Sequence, residues 1–86
     1  LSMQKKYLAG LEITEQGIQE SLQIEDAHFL GHFYYQRGYF TKKLNGELSD
    51  IQRDFTMAYS LFRAFDMSLH EKLLLEEHAE YILFRS

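Results

Sequence analysis

The stretch LGHFYYQRGYF, residues 30–40, places five aromatic residues and two glycines in eleven positions. Such a density of aromatic side chains is typical of a core, whereas glycine weakens a helix by about 1 kcal/mol relative to alanine. Gly31 and Gly38 are seven residues apart, which puts them about two turns apart on one side of a helix. We therefore expect this helix to pack closely against a neighbour on its glycine side and to carry its rings on the other faces.

The composition of the whole chain favours an all-α protein. The 86 residues include no proline, no cysteine and no valine, and strands are normally rich in the β-branched residues that are scarce here. We predict a single all-α domain over residues 1–86. A domain of this size buries only about 60% of its unfolded surface, so its core is small. The absence of cysteine excludes disulfides and thiolate metal sites.

Residues typical of helix ends divide the chain into four antiparallel helices. Asp26 is expected to be the N-cap of the second helix, and Asn45-Gly46 indicates a left-handed end to that helix. Two capping boxes predict the last two helix starts, Ser49 with Gln52 and Ser68 with Glu71. The predicted helices cover residues 3–23, 27–44, 50–67 and 69–84. Gly10 and Gly17 leave open whether the first helix is continuous or divides into two pieces.

The second and third helices resemble a tetratricopeptide repeat (TPR). That family carries Leu-Gly and then Tyr in its first helix, followed by Ala and Phe in its second, and residues 27–67 place these types at Leu30-Gly31, Tyr34, Ala58 and Phe62. Ala27 stands where Trp is common, the closing Pro is missing, and about fifteen extra residues separate Tyr34 from Ala58. Longer helices accommodate such a length in the TPR-like domains of Gram-positive peptide-sensing regulators. The alternatives are a TPR-like array and an unrelated helical bundle.

Two sets of residues are of the types that bind metals. His28 and His32 are four residues apart, so both imidazoles would lie on one helix face, but Phe29 stands where the metalloprotease motif requires Glu. The acidic run in the last helix lacks the Glu-x-x-His spacing of di-metal bundles; its members are Glu71, Glu76, Glu77 and Glu80. We interpret both sets as ordinary surface residues and predict neither metal nor cofactor.

An enzymatic alternative rests on two residues. Arg63 and His70 resemble the Arg-x4–6-His pattern of HEPN-type ribonucleases, in which the pair activates the ribose 2′-hydroxyl and steadies the phosphate. Ala64 stands where that family often has a polar residue, and the capping box at Ser68 places a helix boundary between the pair. The competing interpretation makes Arg63 an ion-pair partner of a nearby acid such as Asp66, and His70 an ordinary residue in the first turn of the last helix.

We predict that the chain is not an enzyme but a regulatory protein-interaction module. The surplus of large apolar residues indicates a docking surface for a partner helix or peptide, or for a second copy in a homodimer. The net charge of −4 shows no footprint for nucleic acid, and no apolar run approaches a membrane span. We expect a cytoplasmic protein. The predicted partner-binding residues are Tyr34, Tyr35 and Tyr39, and the predicted self-association residues are Phe62, Phe65 and Leu74.

Overall fold

The computed structural model describes residues 3–83, which form four α-helices and a short 3-10 turn, with no strand in that range. The all-α prediction is confirmed. The helices are α1 (Met3–Gln23), α2 (Leu30–Lys43), α3 (Leu48–Ala64) and α4 (Ser68–His78), and the 3-10 turn covers Ala79–Tyr81. The fourth helix thus ends well before its predicted limit, and Phe84, the predicted last residue, lies outside the described part of the chain.

Each helix packs against its neighbours along the chain. Helix α1 packs on α2, α2 on α3, and α3 on both α4 and the 3-10 turn. No Cα atom of α1 lies within 8 Å of α3 or α4, and none of α2 lies within 8 Å of α4. Contacting residues run in opposite directions along each pair, so neighbouring helices are antiparallel as predicted. The result is a helical array of the kind found in repeat proteins.

Phenylalanine rings packed on glycines hold α2 against both of its neighbours. Towards α3, a Cβ atom added at Gly31 would lie 3.0 Å from the Phe62 ring, and one added at Gly38 would lie 3.1 Å from the Phe55 ring. The predicted close approach on the glycine side of α2 is therefore confirmed. Two rings of one helix rest on two glycines of the next, and both the rings and the glycines are seven residues apart.

The same arrangement joins α1 to α2 with the roles reversed. Here α1 supplies the glycines and α2 the rings: a Cβ at Gly10 would lie 2.6 Å from Phe40, and one at Gly17 would lie 2.8 Å from Phe33. Helix α1 is continuous through both positions. Its glycines are therefore contact points for the next helix rather than the helix breaks that the sequence left open.

Helices α1, α2 and α3 end in the same backbone conformation. In each case one residue with positive φ follows the helix, and the next backbone N–H donates to the carbonyl five residues earlier, which closes a Schellman motif. Only one of the three, Asn45, belongs to the predicted Asn45-Gly46 signal. The three residues are Glu25 (φ 56°), Asn45 (φ 56°) and Asp66 (φ 54°), and the three hydrogen bonds are Asp26 N to Ser21 O (3.0 Å), Gly46 N to Thr41 O (2.9 Å) and Met67 N to Phe62 O (2.8 Å).

Glu25 is strained at this position, so its replacement by glycine is expected to stabilise the protein. The left-handed conformation destabilises the folded state by roughly 1–2 kcal/mol for an ordinary residue, and glycine does not have this strain. Glycine also makes the unfolded chain more flexible, which offsets roughly 0.5–1 kcal/mol of the gain. We expect Glu25→Gly to raise the free energy of unfolding by about 0.5–1 kcal/mol in urea titrations. The control is Gln19→Gly in the exposed interior of α1, which should lower it by about 1 kcal/mol. Destabilisation by Glu25→Gly would contradict this account.

The predicted caps are wrong, although the turns are close to where the sequence placed them. Helix α3 begins after Glu47 and α4 after Met67, and neither helix has a side-chain cap hydrogen bond. Ser49 and Ser68 therefore lie inside their helices. Asp26 does accept a backbone hydrogen bond, but from His28 at 3.0 Å in the connection before α2. That local turn delays the start of α2 from residue 27 to Leu30.

A buried ion pair adds a second link between α2 and α3. The guanidinium of Arg37 donates to both carboxylate oxygens of Asp54, at 2.9 Å through Nε and 2.7 Å through Nη2. Asp54 has no exposed surface, and Arg53 approaches the same carboxylate at 3.3 Å. The hydrogen bond to Asp54 raises the pKa of Arg37. Because the two partners lie on different helices, the pair fixes how α2 and α3 align.

Candidate functional site

A cleft of about 280 Å³ lies between α2 and α4, with a ring of α3 between them. We call it the α2–α4 cleft; its lining residues are His32, Tyr35, Gln36, Phe62, His70 and Leu73. None of these is an acid, a lysine or an arginine. Leu73 is 45% exposed, so the cleft offers apolar surface to a ligand. A cavity of this size accepts one or two large side chains rather than a whole small molecule of drug size.

Two histidines meet at one end of the cleft. The rings of His32 and His70 are 4.6 Å apart and nearly perpendicular, at 88°. Both also lie against Phe62, with ring centroids 5.6 Å and 5.4 Å away. Burial lowers the pKa of His32, and the nearby His70 and His28 lower it further. The imidazole of His32 is therefore neutral at pH 7.

A third histidine contacts Tyr35 from farther along α4, outside the lining of the cleft. His78 is buried and stacks on Phe55, with centroids 4.4 Å apart and planes 13° from parallel. Its Nδ1 lies 3.3 Å from the ammonium of Lys42, and its ring also meets that of Tyr35 at 5.7 Å. Burial lowers the pKa of His78, and Lys42 adds to the effect, whereas Glu77 opposes it.

The lowered pKa of His78 predicts an acid-sensitive fold. The unfolded chain takes up the proton near pH 6.5 and the folded chain only at lower pH. Stability is therefore complete above pH 6.5 and falls as the pH drops through the folded value. We expect the free energy of unfolding to fall, by at most about 1.4 kcal/mol per pH unit for this residue. Urea titrations between pH 7.5 and 5 should show a shallower fall for His78→Phe, which keeps a ring on Phe55, than for wild type or for His28→Phe on the surface. Equal slopes for wild type and His78→Phe would contradict the assignment.

The three tyrosines predicted to bind a partner occupy different surroundings. All three are half-buried against the core. Tyr35 alone lines the α2–α4 cleft, and burial, with Glu77, raises the pKa of its hydroxyl, so at neutral pH this hydroxyl is a hydrogen-bond donor. The ring of Tyr34 lies 5.3 Å from the guanidinium of Arg37, and that of Tyr39 lies 5.5 Å from the ammonium of Lys43.

The residues predicted for self-association also differ in their exposure to solvent. Phe62 and Leu74 are buried within the chain's own core, at 2% and 0% exposure. Phe65 is 42% exposed, at the residue directly after α3. Of the three, Phe65 has the surface that a second copy would contact.

The structure does not bring Arg63 and His70 into one site. Arg63 lies in a separate polar depression with Glu71, whose Oε1 is 3.4 Å from the Arg63 Nε atom. His70 faces the α2–α4 cleft instead. An acid thus pairs with the positive charge that would have to stabilise a phosphate, as the competing interpretation predicts. That acid is Glu71 rather than Asp66.

Neither set of proposed metal ligands has the geometry of a metal site in the described part of the chain. His32 pairs with His70 rather than with His28, whose ring lies near Phe29 and Phe65. Within residues 3–83, no three side chains of the His, Asp or Glu type are arranged to hold a metal ion. Most of the acidic run on and after α4 is exposed to solvent, the exposed members being Glu76, Glu77 and Glu80. No helix in the same range is both long and apolar enough to span a membrane.

Comparison with known families assigns the chain to a class. Residues 1–83 match the model of the RNPP family C-terminal domain, and the chain belongs to this family. The family consists of regulatory, non-enzymatic domains of quorum-sensing regulators that mediate protein interactions. This confirms the prediction of a regulatory, repeat-like helical domain; whether the repeat is specifically a TPR stays a prediction. No curated protein and no solved structure matches the chain.

Proposed function

We propose that this domain binds a peptide or partner helix, with the α2–α4 cleft receiving an uncharged apolar side chain. The observation that carries the proposal is the cleft itself, which is open, lined by rings and Leu73, and free of acids, lysines and arginines. A buried anchor side chain in such a pocket supplies most of the affinity of a peptide complex. Membership in a family of regulatory interaction domains supports the same hypothesis.

Polar groups at the cleft would orient the bound segment. The Tyr35 hydroxyl donates at neutral pH, and the amide nitrogen of Gln36 has donors for a peptide carbonyl, while its oxygen accepts from the Thr14 hydroxyl at 3.4 Å. The exposed acids of α4 would favour basic residues beside the anchor. Tyr34 and Tyr39 remain proposed contacts for a longer partner that extends along α2, and the cytoplasmic location remains a prediction.

Selection from a displayed peptide library tests the proposal, with two leucines of α4 as a matched pair. Leu73 lines the cleft, whereas Leu69 is 64% exposed and does not. We expect the enriched peptides to share an apolar anchor and to lose at least about tenfold in affinity for Leu73→Asp, or about 1.4 kcal/mol. Their affinity for Leu69→Asp should be unchanged. Failure to enrich any peptide, or equal losses in both variants, would contradict the proposal.

Self-association is the second candidate, because Phe65 and Phe29 are exposed near one another on either side of His28. Light scattering over a dilution series separates the candidates. A dimer that is lost in Phe65→Ser would favour an interface between copies, and a monomer at all concentrations would exclude it.

A further inference from the structure

Side chains alone connect the two helices that form the α2–α4 cleft. No Cα atom of α2 lies within 8 Å of a Cα atom of α4. The ring and hydrogen-bond contacts that the described residues make between α2 and α4 each include a histidine. They join His32 to His70 at 4.6 Å, Tyr35 to His78 at 5.7 Å, and Lys42 to His78 at 3.3 Å. Helix α4 is held in place by α3, and its direct contacts with α2 depend on imidazoles: those of His32 and His70 in the lining of the cleft and that of His78 beside it.

The contact between His32 and His70 is attractive while no more than one of the two imidazoles is protonated. An edge-to-face pair at 4.6 Å places one ring's hydrogens on the face of the other, whereas two imidazolium ions at that separation repel each other across a partly desolvated gap. Beside the cleft, a protonated His78 would face the ammonium of Lys42. Full protonation thus places like charges together at the His32–His70 pair and between His78 and Lys42.

The charged neighbours do not cancel this repulsion at the His32–His70 end. His28, before α2, would add a third positive charge when protonated, and Arg63 of α3 already neutralises Glu71 of α4. Asp66 lies in the adjacent polar depression, on the other side of Phe62.

The surroundings of His78 are mixed. Glu77 and Glu80 favour a positive charge, and Lys42 and Lys43 of α2 oppose it. On α3, Asp54 is already bonded to Arg37.

We propose that proton uptake gates the α2–α4 cleft: neutral His32 and His70 hold α4 against α2, and protonation of the pair separates the helices and releases the bound side chain. The proposal rests on the proposed function for the identity of what is released. The opening itself requires no ligand. A regulatory domain with this device would hold its partner at neutral pH and lose it under mild acid.

Nuclear magnetic resonance of the ligand-free protein tests the gate. The readouts are the proton–proton contact between the rings of His32 and His70 and the methyl shifts of Leu73, followed from pH 7.5 to 5. We expect the ring contact to be lost, and the Leu73 methyls to shift, as the pair takes up its second proton. The methyls of Ile18, which is buried on α1, report on global folding over the same range.

Two variants separate the gate from general acid effects. In His70→Phe one ring can no longer be charged, so the ring contact and the Leu73 shifts should persist to pH 5. His28→Phe, a matched change on the surface, should still lose the ring contact, but at a slightly higher pH, because it removes the charge of His28 that lowers the pKa of His32. A contact that survives double protonation in wild type, an identical pH response in His70→Phe, or unfolding before the pair titrates would each overturn the gate. Because no peptide is present, these results stand apart from any failure of the peptide selection.

Discussion

Replacement of Arg37 by methionine is expected to remove about 3–5 kcal/mol from the free energy of unfolding. The change removes the bidentate partner of the Asp54 carboxylate. Because Asp54 has no exposed surface, water cannot take the place of the Arg37 guanidinium. Methionine keeps most of the side-chain volume, so the loss reports on the charge rather than on packing. Small domains have only about 5–15 kcal/mol in total, and chemical denaturation at pH 7 should show the effect directly.

A double-mutant cycle identifies the origin of that loss. Arg37→Met combined with Asp54→Ala removes both charges, so the double variant should be more stable than Arg37→Met alone. Arg53 also approaches Asp54, but its side chain is 55% exposed, and Arg53→Met should cost less than about 1 kcal/mol. If the double variant is no more stable than the single one, packing rather than charge explains the effect.

Replacement of Phe55 by alanine is expected to cost about 3–5 kcal/mol as well, through a cavity in the core. The ring has no exposed surface and packs against the backbone of Gly38 on α2. It also supports His78, on which the end of α4 rests. We therefore expect the variant to lose protection of the α4 amides in hydrogen exchange to a greater extent than those of α1.

Phe65→Ala is the matched control for that experiment, because it removes the same ring from a residue that is 42% exposed. Its cost should stay below about 1 kcal/mol. Similar losses for Phe55→Ala and Phe65→Ala would show that the burial of Phe55 does not govern the stability of the core.

The helices and the close approach on α2 could be predicted because both depend on local patterns. Glycines and rings seven residues apart mark one face of a helix wherever it packs. The helix ends were harder to predict from the sequence. Asp66 adopts a left-handed conformation without being Gly or Asn, so α3 ends at Ala64, three residues before the predicted limit. The repeated seven-residue spacing of Gly10 and Gly17 was a usable signal, since it matches the spacing of Phe33 and Phe40 on the next helix.

The site was less predictable because it depends on how distant residues align. His32 and His70 are 38 positions apart in the chain, and only the packing of α2 and α4 on α3 brings their rings together. The same holds for Arg37 and Asp54. In the sequence alone, His28 is the natural neighbour of His32, and nothing local shows that its ring instead lies near Phe29 and Phe65.

The close approach of each helix backbone only to its chain neighbours also has consequences for the speed and order of folding. Proteins rich in such local contacts fold within microseconds to milliseconds. The α2–α3 hairpin holds two ring-on-glycine contacts and the buried ion pair, so it is the natural nucleus onto which the outer helices add. Local opening of an outer helix generally costs less free energy than global unfolding. Because α4 supplies Leu74 to the core, its opening would abolish the cleft and expose the rings of α3 together.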